Sequence, residues 1–396
     1  MTRGERLSLY VGLTALTAFS IDGLLPAMPM IETEFAGTLR VSTAGLITFF
    51  VFGMAVGELL LGPLSDAAGR RVVVIGGLVV FAIGTILAAT ADSFGTVVLG
   101  RFLQGAGVAG PKIGTRAIIR DRYAGTDMAQ VMSIIFTLLI LVPMIAPAIG
   151  AVIAGAGGWR GVFWAYLALA LGLGLWLWLR HPETLPAESR IPLRWRTLAH
   201  NSRGMLARRD VTPVVIATGF IFGAQLTYFA VAADLFGQSY GLSAKMPLLF
   251  ALLATGTGVA LVLNVRFVKR IGMETPILAG LVLLCASGAG LTGAAWMTRG
   301  VPPLGLLLAL GWVGFFALGL LFGNLNALAM RPLGTVAGLG ASLIASISSL
   351  VAFLFASVVE GLTQGPVWAV ACAFTLAGVL SGLLIFAALP QRRRLP

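Results

Sequence analysis

Four ionisable residues interrupt hydrophobic runs in this chain: Asp22, Glu58, Arg101 and Lys112. In such surroundings a carboxyl can take up and release a proton, and a guanidinium or ammonium can hold an anion or offset a carboxylate's charge. Each costs at least about 2.5 kcal/mol inside an apolar span, so each must face a partner or a watery cavity. Asp22 lies in Ser20-Ile21-Asp22-Gly23-Leu24-Leu25-Pro26-Ala27-Met28-Pro29, where two prolines loosen the helix a turn further on. It is either a proton-carrying group or an acid near the outer interface paired with a neighbour. Arg101 stands in Gly100-Arg101-Phe102-Leu103-Gln104-Gly105-Ala106-Gly107, and Asp22 is the partner expected for it. Such a pair either breaks when the acid is protonated or is a permanent structural ion pair. Lys112 follows Arg101 by eleven residues, three helical turns, so both project from nearly one face. It either holds an anionic group or snorkels towards the surface. Glu58 is a second proton site or the group that neutralises Lys112.

Softer chemistry lies elsewhere. Gln225 and Tyr228, three residues apart, share a helix face, and Asn324 and Asn326 lie too deep in an apolar run to face lipid. With Phe49, Phe50 and Phe136 they suit an amphipathic, aromatic cavity, although aromatic residues at helical spacing also serve packing. No metal site is expected: His181 and His200 share one loop without ligand spacing, and Cys285 and Cys372 read as packing residues. No cofactor is expected, and no cluster of nucleophile, His and acid suggests an enzyme. The phosphate-binding pattern G-x-x-x-x-G-K-S/T is absent, which disfavours an ATP-driven pump.

The elements that must position these residues follow from composition. The 396 residues are 58% hydrophobic and 11% charged, with a mean hydropathy of +0.97, too apolar for a soluble core to be covered. No alternating strand pattern suggests a barrel. The chain reads as an all-α membrane protein of about twelve transmembrane helices in two pseudo-symmetric six-helix bundles, near residues 7–28, 43–61, 72–91, 95–119, 128–154, 161–179, 211–233, 246–265, 276–297, 302–330, 335–358 and 367–389. The formal charge of +12 reflects topology, not nucleic-acid binding. Arg3, Arg6, Arg70, Arg71, Arg116, Arg120, Arg122 and the basic stretch from Arg180 to Arg209 fall on one side, which predicts both termini in the cytoplasm. The N-terminus reads as a retained first helix, not a signal peptide. Residues 1–180 form the first bundle, 181–210 a proline-containing cytoplasmic linker, and 211–396 the second bundle with a short basic tail.

One stretch joins the second and third spans as a hairpin: Gly62-Pro63-Leu64-Ser65-Asp66-Ala67-Ala68-Gly69-Arg70-Arg71. Its glycines permit a tight turn, Asp66 is an anion beside a helix end, and the arginines mark the cytoplasmic face. A degenerate second copy, without the Asp, runs from Leu263 to Gly272. The hairpin resembles the G-x-L-a-D-x-x-G-R-R signature of the major facilitator superfamily of secondary transporters, with Ala67 where a basic residue often follows the Asp. The first span is similar to the D-x-x-L-P-A-M/L-P signature of the superfamily's drug:proton antiporters, especially the bicyclomycin-resistance (Bcr/CflA-type) branch. Gly100 to Gly107 matches R-x-x-Q-G-x-G of proton-coupled members. Pro143, Pro147 and Gly150 resemble the antiporters' fifth-helix signature, whose usual first glycine is missing.

This resemblance implies proton coupling by Asp22 and Arg101 with Glu58, and a gating latch of Gly62, Asp66, Gly69, Arg70, Arg71 and Asp121, in which Asp121 accepts from Arg70. The function implied is proton-coupled export of amphipathic drug-like compounds by alternating access, in a bacterial-type inner membrane. The alternative is an importer of a nutrient such as riboflavin, or less readily copper. The partners implied are a small-molecule substrate, protons and the lipid bilayer, with the chain acting as a monomer.

Overall fold

The computed structural model describes residues 1–36, 43–193, 195–332 and 337–392, and among them every regular element is a helix. In chain order the α-helices are α1 (Arg3–Asp22), α2 (Met28–Phe35), α3 (Gly45–Ala68), α4 (Arg70–Ala89), α5 (Phe94–Arg122), α6 (Gly125–Arg180), α7 (Trp195–Leu206), α8 (Thr212–Gly237), α9 (Met246–Ile271), α10 (Glu274–Met297), α11 (Leu304–Met330), α12 (Ala337–Leu362) and α13 (Pro366–Arg392). Among the described residues, ten segments are long and apolar enough to cross a membrane. The helix α5 is not one of them, because Arg101, Gln104 and Lys112 make it polar, yet its 29 residues match a full span and it packs between α3 and α4. The helix α6 counts once, although Gly158, at φ 65°, turns it within its 56 residues. With α5 included and α6 taken as two arms, twelve spanning helices result, six in each of two units, Met1–His200 and Asn201–Pro396.

In the first unit the glycines of α5 decide the packing. A Cβ at Gly105 would fall on the Phe50 carbonyl oxygen, and one at Gly53 on the Phe102 carbonyl oxygen, so the backbones of α3 and α5 touch. Gly107 and Gly110 likewise leave no room for a Cβ against α4, at Phe81 and Val73. Around this three-helix layer, α1 and α4 pack against α6. In the second unit α8 lies against α12 and α13, while α11 packs against α9 and α10.

Two expectations about boundaries change. Residues 62–68 are not a loop but the last turns of α3, and the joint between α3 and α4 is Gly69 alone, at φ 113°. Pro63 removes one helical hydrogen bond without ending the helix, whereas the positive φ at Gly69 ends it. The first span is broken: α1 ends at Asp22, Leu25–Ala27 form a 3-10 turn with Pro26 inside it, and α2 resumes at Met28. The spans expected at 128–154 and 161–179 are the two arms of α6, separated at Gly158, whose backbone is not helical. The second unit repeats the Gly69 joint, since α9 ends at Gly272, at φ 73°.

Candidate functional site

Asp22 is the last residue of α1 and is 2% exposed, with its Oδ1 lacking a hydrogen-bond partner among the described residues. The break after it is held from α6. A Cβ at Gly150 would sit on the Gly23 carbonyl oxygen, and Tyr166 donates its hydroxyl to the Phe19 carbonyl at 3.1 Å. The fifth-span glycine thus makes room for the broken end of the first helix. Pro143 and Pro147 lie earlier on the same arm of α6, which continues through both.

Arg101 is fully buried and does not pair with Asp22. Its Nε donates to the Leu46 carbonyl at 3.0 Å, its Nη1 donates to Gln104 Oε1 at 2.9 Å, and its guanidinium lies 4.3 Å over the Phe50 ring. Gln104 in turn donates to Thr85 Oγ1 at 2.7 Å. The reason is architectural: α5 is gripped by α3 and α4, so the arginine finds its acceptors within that layer, whereas Asp22 ends a helix packed on α6. Arg101 Nη2 has no hydrogen-bond partner among the described residues, and Tyr166 lies within the electrostatic reach of both Arg101 and Asp22.

Glu58 is fully buried and pairs with Lys112, Nζ to Oε1 at 2.5 Å. Lys112 also reaches Met54 Sδ at 3.4 Å. Snorkelling would carry the ammonium towards the ends of α3 and α5 that lie beside Gly69. It reaches instead towards Met54 and Glu58, and Glu58 lies eleven residues before Gly69, about 16 Å along α3.

The ends of α3, α4 and α5 nearest Gly69 form a second cluster. Arg70 donates from Nε to Asp121 Oδ2 at 3.0 Å and from Nη1 to Asp66 Oδ1 at 2.5 Å and Ser65 Oγ at 3.2 Å. Arg71 donates to the Trp178 carbonyl and lies over that ring. Gly62 is buried within α3. The sequence reading missed the linker's part. Glu183 accepts from the backbone N–H groups of Arg70, Arg71, Thr184 and Leu185 at 2.9–3.1 Å, Thr184 donates to Asp121, and Ile191 N–H donates to the Asp66 carbonyl. Burial works against the Glu183 anion, but the four N–H groups outweigh it and hold the carboxyl below its ordinary range. His181, 2% exposed, bonds Tyr10 Oη at 2.9 Å, and burial holds it below its usual value, helped by the nearby cations Arg122, Arg6 and Arg71 against the Pro182 carbonyl. Glu183, the first of three acids in a largely basic linker, was the available signal.

In the second unit, Asn324 and Asn264 exchange hydrogen bonds at 2.7 and 3.3 Å, and Asn326 donates to the Phe322 carbonyl at 2.9 Å. Asn264, another amide in an apolar run, escaped the sequence reading. Tyr228 is enclosed by Phe229, Phe250 and Phe315, its ring centroid 4.7 Å from that of Phe315, so it packs in the core and not on an open face. Gln225, on the same helix, is half-buried. In the first unit Phe50 serves Arg101, and Phe49 lies edge-on to Phe52 at 6.5 Å. The side chain of Phe136 lies outside the described residues.

Comparison with known proteins places this geometry. The chain is 29% identical over 356 residues to a bicyclomycin resistance protein homolog of Haemophilus influenzae, covering 88% of this chain and 87% of that protein. It is 29% identical to a chloramphenicol resistance protein of Pseudomonas aeruginosa, with 93% and 87% covered. Against the multidrug resistance protein MdtL of Escherichia coli O9:H4 (strain HS), identity is 31% over 209 residues, 52% of each chain. The crystal structure of a D-xylose-proton symporter superposes with a TM-score of 0.72 at 16% identity, covering 96% of this chain and 97% of that one. The human organic anion transporter MFSD10 superposes with a TM-score of 0.69 at 20% identity, covering 98% and 100%. The model of the Major Facilitator Superfamily matches residues 11–356, and with two six-helix units behind that match, the chain belongs to this superfamily of multi-pass membrane transporters.

Proposed function

We propose that this transporter exchanges protons for amphipathic, drug-like compounds across an inner membrane, exporting them by alternating access as a monomer with both termini in the cytoplasm. The observation that carries the reading is Asp22: a carboxyl enclosed at a helix break, with an oxygen left without a partner, where taking up a proton breaks no ion pair. Arg101, held by the Leu46 carbonyl, Gln104 and Phe50, is the fixed positive charge against which that proton is felt. The relatives named for drug resistance support the substrate class.

Purified protein in liposomes with an imposed pH gradient tests this, with a fluorescent lipophilic cation and labelled riboflavin followed in parallel. Cation movement opposite to protons, lost in Asp22→Asn without loss of folding, is the expected result. Undiminished proton-driven flux in Asp22→Asn would remove Asp22 from the mechanism. Riboflavin accumulation without cation movement would make the chain a nutrient importer instead.

A further inference from the structure

One face of α5 carries more positive charge than its surroundings answer. Lys112 and Arg116 stand four residues apart, one helical turn, and so share that face. Glu58 lies beside them, bonded to Lys112 at 2.5 Å, and its charge also acts on Arg116. Glu58 is fully enclosed, whereas the Lys112 side chain keeps 18% of its surface open and Arg116 is exposed. The cations therefore form the accessible side of the cluster and the carboxylate its back.

Donor counting sharpens the point. An ammonium offers three donors, and those of Lys112 meet one carboxylate oxygen and one thioether sulfur, a weak acceptor. A guanidinium offers five, and Arg116 makes no hydrogen bond or ion pair among the described residues. Two cations thus share one carboxylate, leaving one positive charge and several donors that the described residues do not meet. An oxyanion suits them: a guanidinium binds a carboxylate or sulfonate through paired N–H donors, with an ammonium as the adjoining point charge.

We propose that Lys112 and Arg116 form a subsite for the carboxylate or sulfonate of an amphipathic substrate, with Glu58 as the built-in counter-ion that keeps Lys112 in place when the subsite is empty. The inference rests on the transport reading above and extends its substrate class to compounds that bear an anionic group on an apolar body. Glu58 competes with that group for Lys112, so removing the Glu58 charge strengthens anion binding.

The test is equilibrium binding of radiolabelled 1-naphthoate and of its neutral primary amide to the full-length purified protein at pH 7. Naphthoate is expected to bind at least tenfold more tightly than the amide. Lys112→Met and Arg116→Gln each remove that preference while amide binding stays unchanged, Lys112→Arg keeps it, and Glu58→Gln increases it. Equal binding of acid and amide by the parent protein, or an unchanged preference in Arg116→Gln, whose exposed side chain can be replaced without unfolding the helix, would overturn the proposal. Asp22→Asn separates the two readings: it is expected to lose proton-driven flux and keep the naphthoate preference. An absence of proton-driven flux in the parent would defeat the transport reading alone, and an absence of the acid-over-amide preference would defeat only the subsite.

Discussion

Arg101 shows how a charge is kept inside an apolar helix layer without a counter-ion in contact. Its acceptors are a backbone carbonyl and an amide oxygen, with an aromatic face beneath, so the positive charge is spread over dipoles and is not cancelled. Gln104 is the pivotal neighbour, because its oxygen accepts from Arg101 while its nitrogen donates to Thr85. Gln104→Leu preserves bulk but leaves a buried guanidinium donor and the Thr85 hydroxyl without this partner. We expect a loss of about 1–3 kcal/mol in stability, measured as a lower melting temperature in detergent, with Gln104→Glu less harmful because an acceptor remains. Spacing alone suggested an Asp22–Arg101 pair, because it records which residues lie deep but not which helix each one faces.

At the scale of elements, the α3–α4 joint is a one-residue turn capped from outside. Gly69 is the residue whose φ of 113° permits the reversal, and Glu183 of the linker takes the place of an N-cap side chain for α4. A Cβ at Gly69 would also press on the Glu183 carboxylate. Gly69→Ala is therefore expected to cost about 1 kcal/mol or more and to expose the linker to protease, a change readable by limited proteolysis. Acid should loosen the same attachment in two stages. Folding holds His181 below its ordinary value, so the unfolded ring binds a proton first. The stability that the neutral imidazole contributes is intact above about 6.5 and is lost as pH falls below it. Glu183 is also held low, so its contribution is full above the ordinary carboxylate value and is lost as pH falls from there through its depressed value. Proteolysis of the linker against pH should show both steps, and His181→Gln should remove the first and leave the second.

For the whole molecule, the charge bias becomes a statement about sides of the membrane. Arg6, Arg70 and Arg180 gather at one end of the first unit, where they meet Tyr123, Asp121 and Glu5, while Glu34, Trp159 and Arg160 tie the opposite end. In a background lacking Cys285 and Cys372, single cysteines at Ser93 and Thr363 are expected to react with a membrane-impermeant maleimide added to intact cells. A cysteine at Ser189 is expected to react only after lysis, and labelling of Ser189 from outside would reverse the orientation.

The number and rough position of the spans, the two-bundle organisation and the superfamily were all legible in the linear chain, because a hydrocarbon core selects for runs of apolar residues and puts basic residues in the connections. The same rule found the intramembrane charges, since any ionisable group in such a run is conspicuous. Tertiary structure decided how those groups are paired. Backbone contact at Gly53 and Gly105 turns Arg101 to Leu46 and Gln104, the α3–α5 interface joins Lys112 to Glu58, and Gly150 receives the break that encloses Asp22. It also recruited Glu183 and Asn264, whose partners lie 113 and 60 residues away in the chain. Hydropathy is a local sum over neighbouring residues and survives without the fold. A hydrogen bond or ion pair across helices depends on crossing angle and rotation, which only the packed small-residue surfaces determine.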